Sequence, residues 1–144
     1  MPASRAGALA VGIPAAVVVA LFGWFLWMLL FYDGRQEIDL SSWVGPQTEF
    51  DREMMPNPRW STDQLCDDTL PCSQAVTSDT LTMYRFEDRD DAVAAAESFG
   101  ENGYLTGWIA VRYEPGGLDA EERADFEYGI GCINTWVNED GRDC

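Results

Sequence analysis

From Ala6 to Tyr32 the chain runs for 27 residues without a charged side chain, and Ala, Val, Leu, Phe, Trp and Met dominate the stretch. As a helix at about 1.5 Å rise per residue it would extend roughly 40 Å, more than the hydrocarbon core of a bilayer. The expectation is a single transmembrane helix over 6–32, preceded by a short leader at 1–5 that carries only Arg5. The run exceeds the 7 to 15 apolar residues of a signal-peptide core, and its far end, Trp24 to Tyr32, is bulky throughout, so an uncleaved anchor is expected. Those aromatic rings suit an interfacial belt. Within the stretch Ala8, Gly12, Ala16 and Ala20 recur every fourth residue, which places four small side chains on one helical stripe where a second helix could pack closely.

The chain beyond this run is acidic. Of nine cations, all Arg, only Arg5 precedes it, so residues 33–144 hold 8 Arg against 25 Asp and Glu, a net charge of −17. Nucleic acid is thereby excluded as a natural partner. Cys66, Cys72, Cys132 and Cys144 all lie in this part, an even number that reads as two disulfides formed in an oxidising compartment. Three pairings are open. The six-residue separation of Cys66 and Cys72 is not that of a thioredoxin-type pair, and with no histidine in the chain a zinc site would need all four thiolates at irregular spacing. These placements imply a cytoplasmic N-terminus and an extracytoplasmic C-terminal domain at a cell membrane.

Residues 33–65 show no periodicity. Gly45, Pro46, Pro56 and Pro58 punctuate a stretch with scattered Trp43, Phe50, Met54, Met55 and Trp60, read as an extracytoplasmic tether. A solvated linker does not usually carry such side chains, so they are expected to cover the chain's own domain, the lipid interface or a partner. Trp43, Phe50 and Trp60 are the candidate partner contacts.

The folded unit is expected at 66–144. Thr80 to Glu87 reads as a strand. Asp88 then caps a helix whose apolar stripe is Ala92, Ala95, Ala96 and Phe99, ended by Gly100. Tyr104 to Tyr113 reads as a second strand, so strand, helix and strand have the length of a βαβ crossover with parallel strands. Asp119 and Glu122 have the spacing of a capping box and start a second helix. Phe126, Ile130, Ile133 and Val137 carry its apolar period to about Trp136, although Gly129 and Gly131 leave a last strand open over 129–138. The fold class is α+β: one N-terminal transmembrane helix, then a small disulfide-stapled domain with a βαβ-type core and a C-terminal helix.

Without histidine there is no imidazole base, no Ser-His or Cys-His nucleophile and no His metal ligand. Acid pairs such as Asp67-Asp68 and Glu121-Glu122 read most simply as caps, turns and solvated faces, and no calcium loop or phosphate-binding glycine motif is complete. No catalytic residue, metal site or cofactor is expected, and a βαβ core serves too many functions to imply one. The expected role is a non-enzymatic accessory or scaffolding subunit, partnered by the bilayer and by an integral membrane protein complex or a second copy of itself. The alternative is a membrane-anchored sensor or binding domain for a cationic ligand or metal ion. An enzyme working through paired carboxylates ranks behind both, because such a site needs a deep cleft.

Overall fold

The computed structural model describes residues 6–31 and 33–144, with the side chains of the first helix described from Ala15 to Leu30. The chain divides into two compact units, Met1–Asp33 and Gly34–Cys144. In the first, α1 spans Ala6–Phe31. Among the described residues no helix is long and apolar enough to cross a membrane. The expected transmembrane helix over 6–32 is therefore corrected: α1 does not qualify as a membrane span on its described residues. The side chains of Ala8 and Gly12 in the small-residue stripe lie outside the described ones, and the leader 1–5 outside the described residues, whereas Ala16 and Ala20 are exposed.

The second unit is built on a five-stranded sheet in the order β1-β2-β3-β5-β4, with every neighbouring pair antiparallel. Its strands are β1 (Arg59–Trp60), β2 (Cys72–Thr77), β3 (Leu81–Phe86), β4 (Gly103–Thr106) and β5 (Ile109–Tyr113). The βαβ core is therefore corrected. The stretch from Tyr104 to Tyr113, which reads as one strand, is a hairpin in which Thr106 pairs with Ile109 around a two-residue turn of Gly107 and Trp108. Gly107 has φ +56°, the conformation that the first turn position of a type II′ hairpin demands. The reversal inserts β5 between β3 and β4, and no two bonded strands run parallel.

Alternation along β3 sends its side chains to two cores. On one face Tyr84 and Phe86, with Ala75 and Ala110, meet Ala92, Ala95 and Ala96 of α4 (Arg89–Ser98). Asp88 caps α4 by accepting from the Asp90 N–H at 2.9 Å, as its sequence indicates. On the other face Leu81 and Met83, with Val76, Ile109, Val111 and Tyr113, meet Phe126 and Ile130 of α5 (Ala120–Gly131). The capping box forms: Asp119 accepts from the Glu122 N–H at 3.0 Å and Glu122 from the Asp119 N–H at 2.8 Å. α5 stops at Gly131, with Cys132 as its C-cap, so the expected continuation to Trp136 is corrected; Val137 makes only an isolated bridge to Asp143.

The same face also receives the stretch read as a tether. Ile38, Leu40, Met54 and Met55 are buried in this core, so the compact unit starts at Gly34 rather than near Cys66. Two short helical pieces make this possible. Asp39 caps a 3₁₀ turn at Leu40–Trp43 by accepting from the Ser41 N–H at 2.9 Å, and Gln74 of β2 accepts from the Leu40 N–H at 2.8 Å. Thr48 and Asp51 form a reciprocal capping box for α2 (Glu49–Met54). The remaining helix, α3 (Thr62–Leu65), leads into the first disulfide, Cys66–Cys72; the second joins Cys132 to Cys144.

Candidate docking groove

Where the 3₁₀ turn, α2 and the end of α5 converge, they leave a groove of about 590 Å³. Its apolar lining is Ile38, Trp43, Phe50 and Ile133. Each aromatic is set from beneath. The Trp43 ring leans on buried Phe126 at 6.2 Å between centroids, and the Trp43 carbonyl accepts from Gln47 Nε2 at 3.1 Å. The Phe50 ring lies over Gly129, where an added Cβ would stand 3.6 Å from it. Phe50 keeps 41% of its surface exposed although it is seated.

The polar lining has one sign. Glu37, Asp39 and Asp51 border the groove together with Ser42 and Asn134, and no Arg is among its lining residues. The Ser41 backbone N–H holds the Asp39 carboxyl below the usual carboxylate range, so it stays charged well into mild acid. The Thr48 N–H and hydroxyl donate to Asp51 at 3.1 and 2.7 Å, which fixes its position. The groove thus offers two aromatic rings beside three acidic side chains, a combination suited to cations attached to apolar surface.

Of the three sequence-derived contacts, Trp43 and Phe50 come together here and Trp60 does not. Trp60 sits on β1, 42% exposed, beside a separate pocket of about 420 Å³ lined also by Arg59, Ser61, Gln64, Leu65 and Thr77. Gly129 of α5 and Ile133 just beyond its C-cap were not legible as groove residues in the sequence, because tertiary packing alone brings them there.

A second cluster holds perturbed groups. The Tyr113 hydroxyl donates to Glu127 Oε1 at 3.2 Å and the Tyr104 hydroxyl to the Glu127 carbonyl at 3.3 Å. Burial raises all three: the Tyr104 phenol is pushed up to about 12, and Tyr113 and the Glu127 carboxyl also rise above their ordinary values. The Arg123 guanidinium lies 4.5 Å over the Tyr113 ring. These contacts fasten α5 to β4 and β5, and the groove does not reach them. Among the described residues no group of three or more acid or Cys side chains is disposed to hold a metal ion.

No protein-family model matches the chain, no curated protein is detectably similar to it, and no solved structure matches its fold.

Proposed function

We propose that the chain is a non-enzymatic interaction subunit, held at a cell membrane through apolar α1, whose acidic extracytoplasmic domain docks part of a membrane or cell-envelope complex. The Trp43–Phe50 groove carries this reading: an exposed Phe50 beside a half-buried Trp43 seated on the core, bordered only by acids among its ionisable residues, suits a protein surface better than a reaction. α1 supports it, since its described side chains are all exposed and apolar and want an apolar medium around them. Both disulfides accord with an oxidising compartment.

The test is a photo-reactive benzoylphenylalanine at position 50 of the full-length chain, irradiated in its native membrane. One partner, cross-linked from position 50 and recovered in stoichiometric amount after mild detergent extraction, supports the docking role. A chain that is extracted alone and cross-links only to lipid or to nothing rejects it. The rival reading, a binding domain for a small cationic ligand, draws on the same Glu37, Asp39 and Asp51. It requires the melting temperature to rise with calcium or a polyamine, and the rise to vanish in Asp39→Asn.

A further inference from the structure

The acids of the groove stand on two elements, with apolar side chains in the lining beside them. Glu37 closes the 3₁₀ turn Gly34–Glu37 and Asp39 caps the next one, Leu40–Trp43, whereas Asp51 follows Phe50 in α2. Among the described residues none of the three forms an ion pair within the chain. Glu37 is exposed, and its carboxylate accepts no hydrogen bond from the described residues either. Arg85, whose charge acts on Asp39, is turned to other partners: it donates to the Gln36 carbonyl at 2.6 Å and to the Ser73 hydroxyl at 3.1 Å. Three carboxylates and an exposed phenyl ring are thus left for cations that the groove itself does not hold.

Charge decides between the candidate occupants. A second copy of the chain would bring a net charge of −17 over residues 33–144 against the same charge, so self-association through this acidic face is opposed. A purely apolar segment would take water from the carboxylates and return no partner for them. A small cation would satisfy the acids and leave the Phe50 ring in water. A protein segment with both kinds of side chain answers both needs. Since the acids stand on two elements, that segment carries a cation on either side of its apolar residue.

We propose that the groove receives a basic segment of a different protein, in which arginine or lysine side chains flank an aliphatic or aromatic one. The apolar side chain covers Phe50 and Ile133, one cation faces Glu37 and Asp39, and the other faces Asp51. The inference rests on the docking role proposed above and names what the partner presents. Exposed acids act mainly on the encounter of the two molecules, so docking weakens as ionic strength rises.

The test adds competing peptides to the full-length chain carrying benzoylphenylalanine at position 50, in the same preparation as the cross-linking above. One short peptide alternates arginine with leucine, a second arginine with serine and a third glutamate with leucine. The first should lower the yield of the protein cross-link roughly tenfold at a concentration where the other two leave it unchanged. Glu37→Gln, which removes a charge without an internal partner, should weaken that competition several-fold and leave the melting temperature unchanged. If the cross-link forms but the arginine–leucine peptide competes no better than either control, or competes equally well in Glu37→Gln, the basic segment is overturned and the docking role stands. If no protein cross-link forms, the docking role fails and the basic segment fails with it.

Discussion

Glu139 and Arg35 meet at 2.8 Å across 104 residues of sequence, so the C-terminal loop closes on the 3₁₀ turn Gly34–Glu37 that opens the domain. The same carboxylate takes the Gly107 N–H at 2.6 Å and Arg89 at 3.4 Å, which joins the loop to the β4–β5 hairpin and to the start of α4. Its side chain is only 22% exposed. A hydrogen bond to a charged group is worth about 1.5–3 kcal/mol, so Glu139→Gln, which keeps the shape and loses the charge, should cost about 2 kcal/mol. Urea denaturation measures it, and an unchanged midpoint would mean that the loop is held by its disulfide alone.

The two disulfides should differ in value. Cys132 and Cys144 are 12 residues apart and Cys66 and Cys72 only 6, and a longer loop loses more unfolded-state freedom when it is closed. Replacing Cys132 and Cys144 with Ser should cost about 3 kcal/mol and replacing Cys66 and Cys72 about 2 kcal/mol by loop entropy. Thermal melting of the two double-Ser variants gives the order. A larger loss at Cys66–Cys72 would place the main effect in the native packing of α3 on β2.

How far the sequence disclosed this fold depended on whether the determinant was local. Asp88, the Asp119–Glu122 box and the Ala stripe of α4 were legible because capping and helical spacing act within a few residues. The hairpin was hidden because Gly107-Trp108 lacks the usual Asn-Gly or Asp-Gly and lies between two β-rich halves; a lone Gly inside a strand pattern was the available signal. Leu40 was hidden for another reason, a single capped turn having no period, whereas Met54 and Met55 were visible as side chains needing cover and only the structure shows that the chain's own core supplies it. The aromatics of the groove were visible as residues, but only tertiary structure separates Trp43 and Phe50 from Trp60.

Two glycines beside α4 separate steric from conformational need. A Cβ at Gly103 would stand 2.1 Å from the Ala96 carbonyl oxygen, a backbone atom that moves only if α4 moves away from β4. Gly103→Ala should therefore cost about 3 kcal/mol, at the upper end of overpacking. Gly100 has open space around it but φ +59°, so Gly100→Ala should cost about 1 kcal/mol through the left-handed backbone alone. Equal losses in parallel urea melts would rule out the close approach of α4 to β4.

Alkaline sensitivity should trace to Tyr104 and Tyr113. Burial, reinforced at Tyr104 by the charges of Asp140, Glu127 and Glu139, raises both phenols, Tyr104 to about 12. A raised folded-state value means that the native chain keeps a proton which the unfolded chain releases near pH 10. The Tyr104 contribution is thus complete below pH 10 and is lost as pH rises through about 12. Denaturation midpoints should fall over that window, and Tyr104→Phe should flatten the fall and leave the part due to Tyr113. An equally steep fall in the variant would assign the alkaline limb to other groups.

Phe50 lines the groove, whereas Phe126 lies buried against Trp43, and their truncation should have opposite consequences. Phe126 is fully buried, with Tyr113 edge-on at 6.3 Å and Trp43 at 6.2 Å, so Phe126→Ala should cost about 3–5 kcal/mol and release Trp43 from its seat. Phe50 is 41% exposed over Gly129, and Phe50→Ala should cost about 1 kcal/mol or less of stability. If the groove docks a partner, that same change should weaken partner recovery roughly tenfold, the scale of a 1–2 kcal/mol interface anchor. Urea melts of both variants beside quantitative co-purification of Phe50→Ala decide the matter. A Phe50→Ala loss of stability as large as that of Phe126→Ala would make Phe50 a core residue, and the groove would then be a seam in the packing rather than a surface for another molecule.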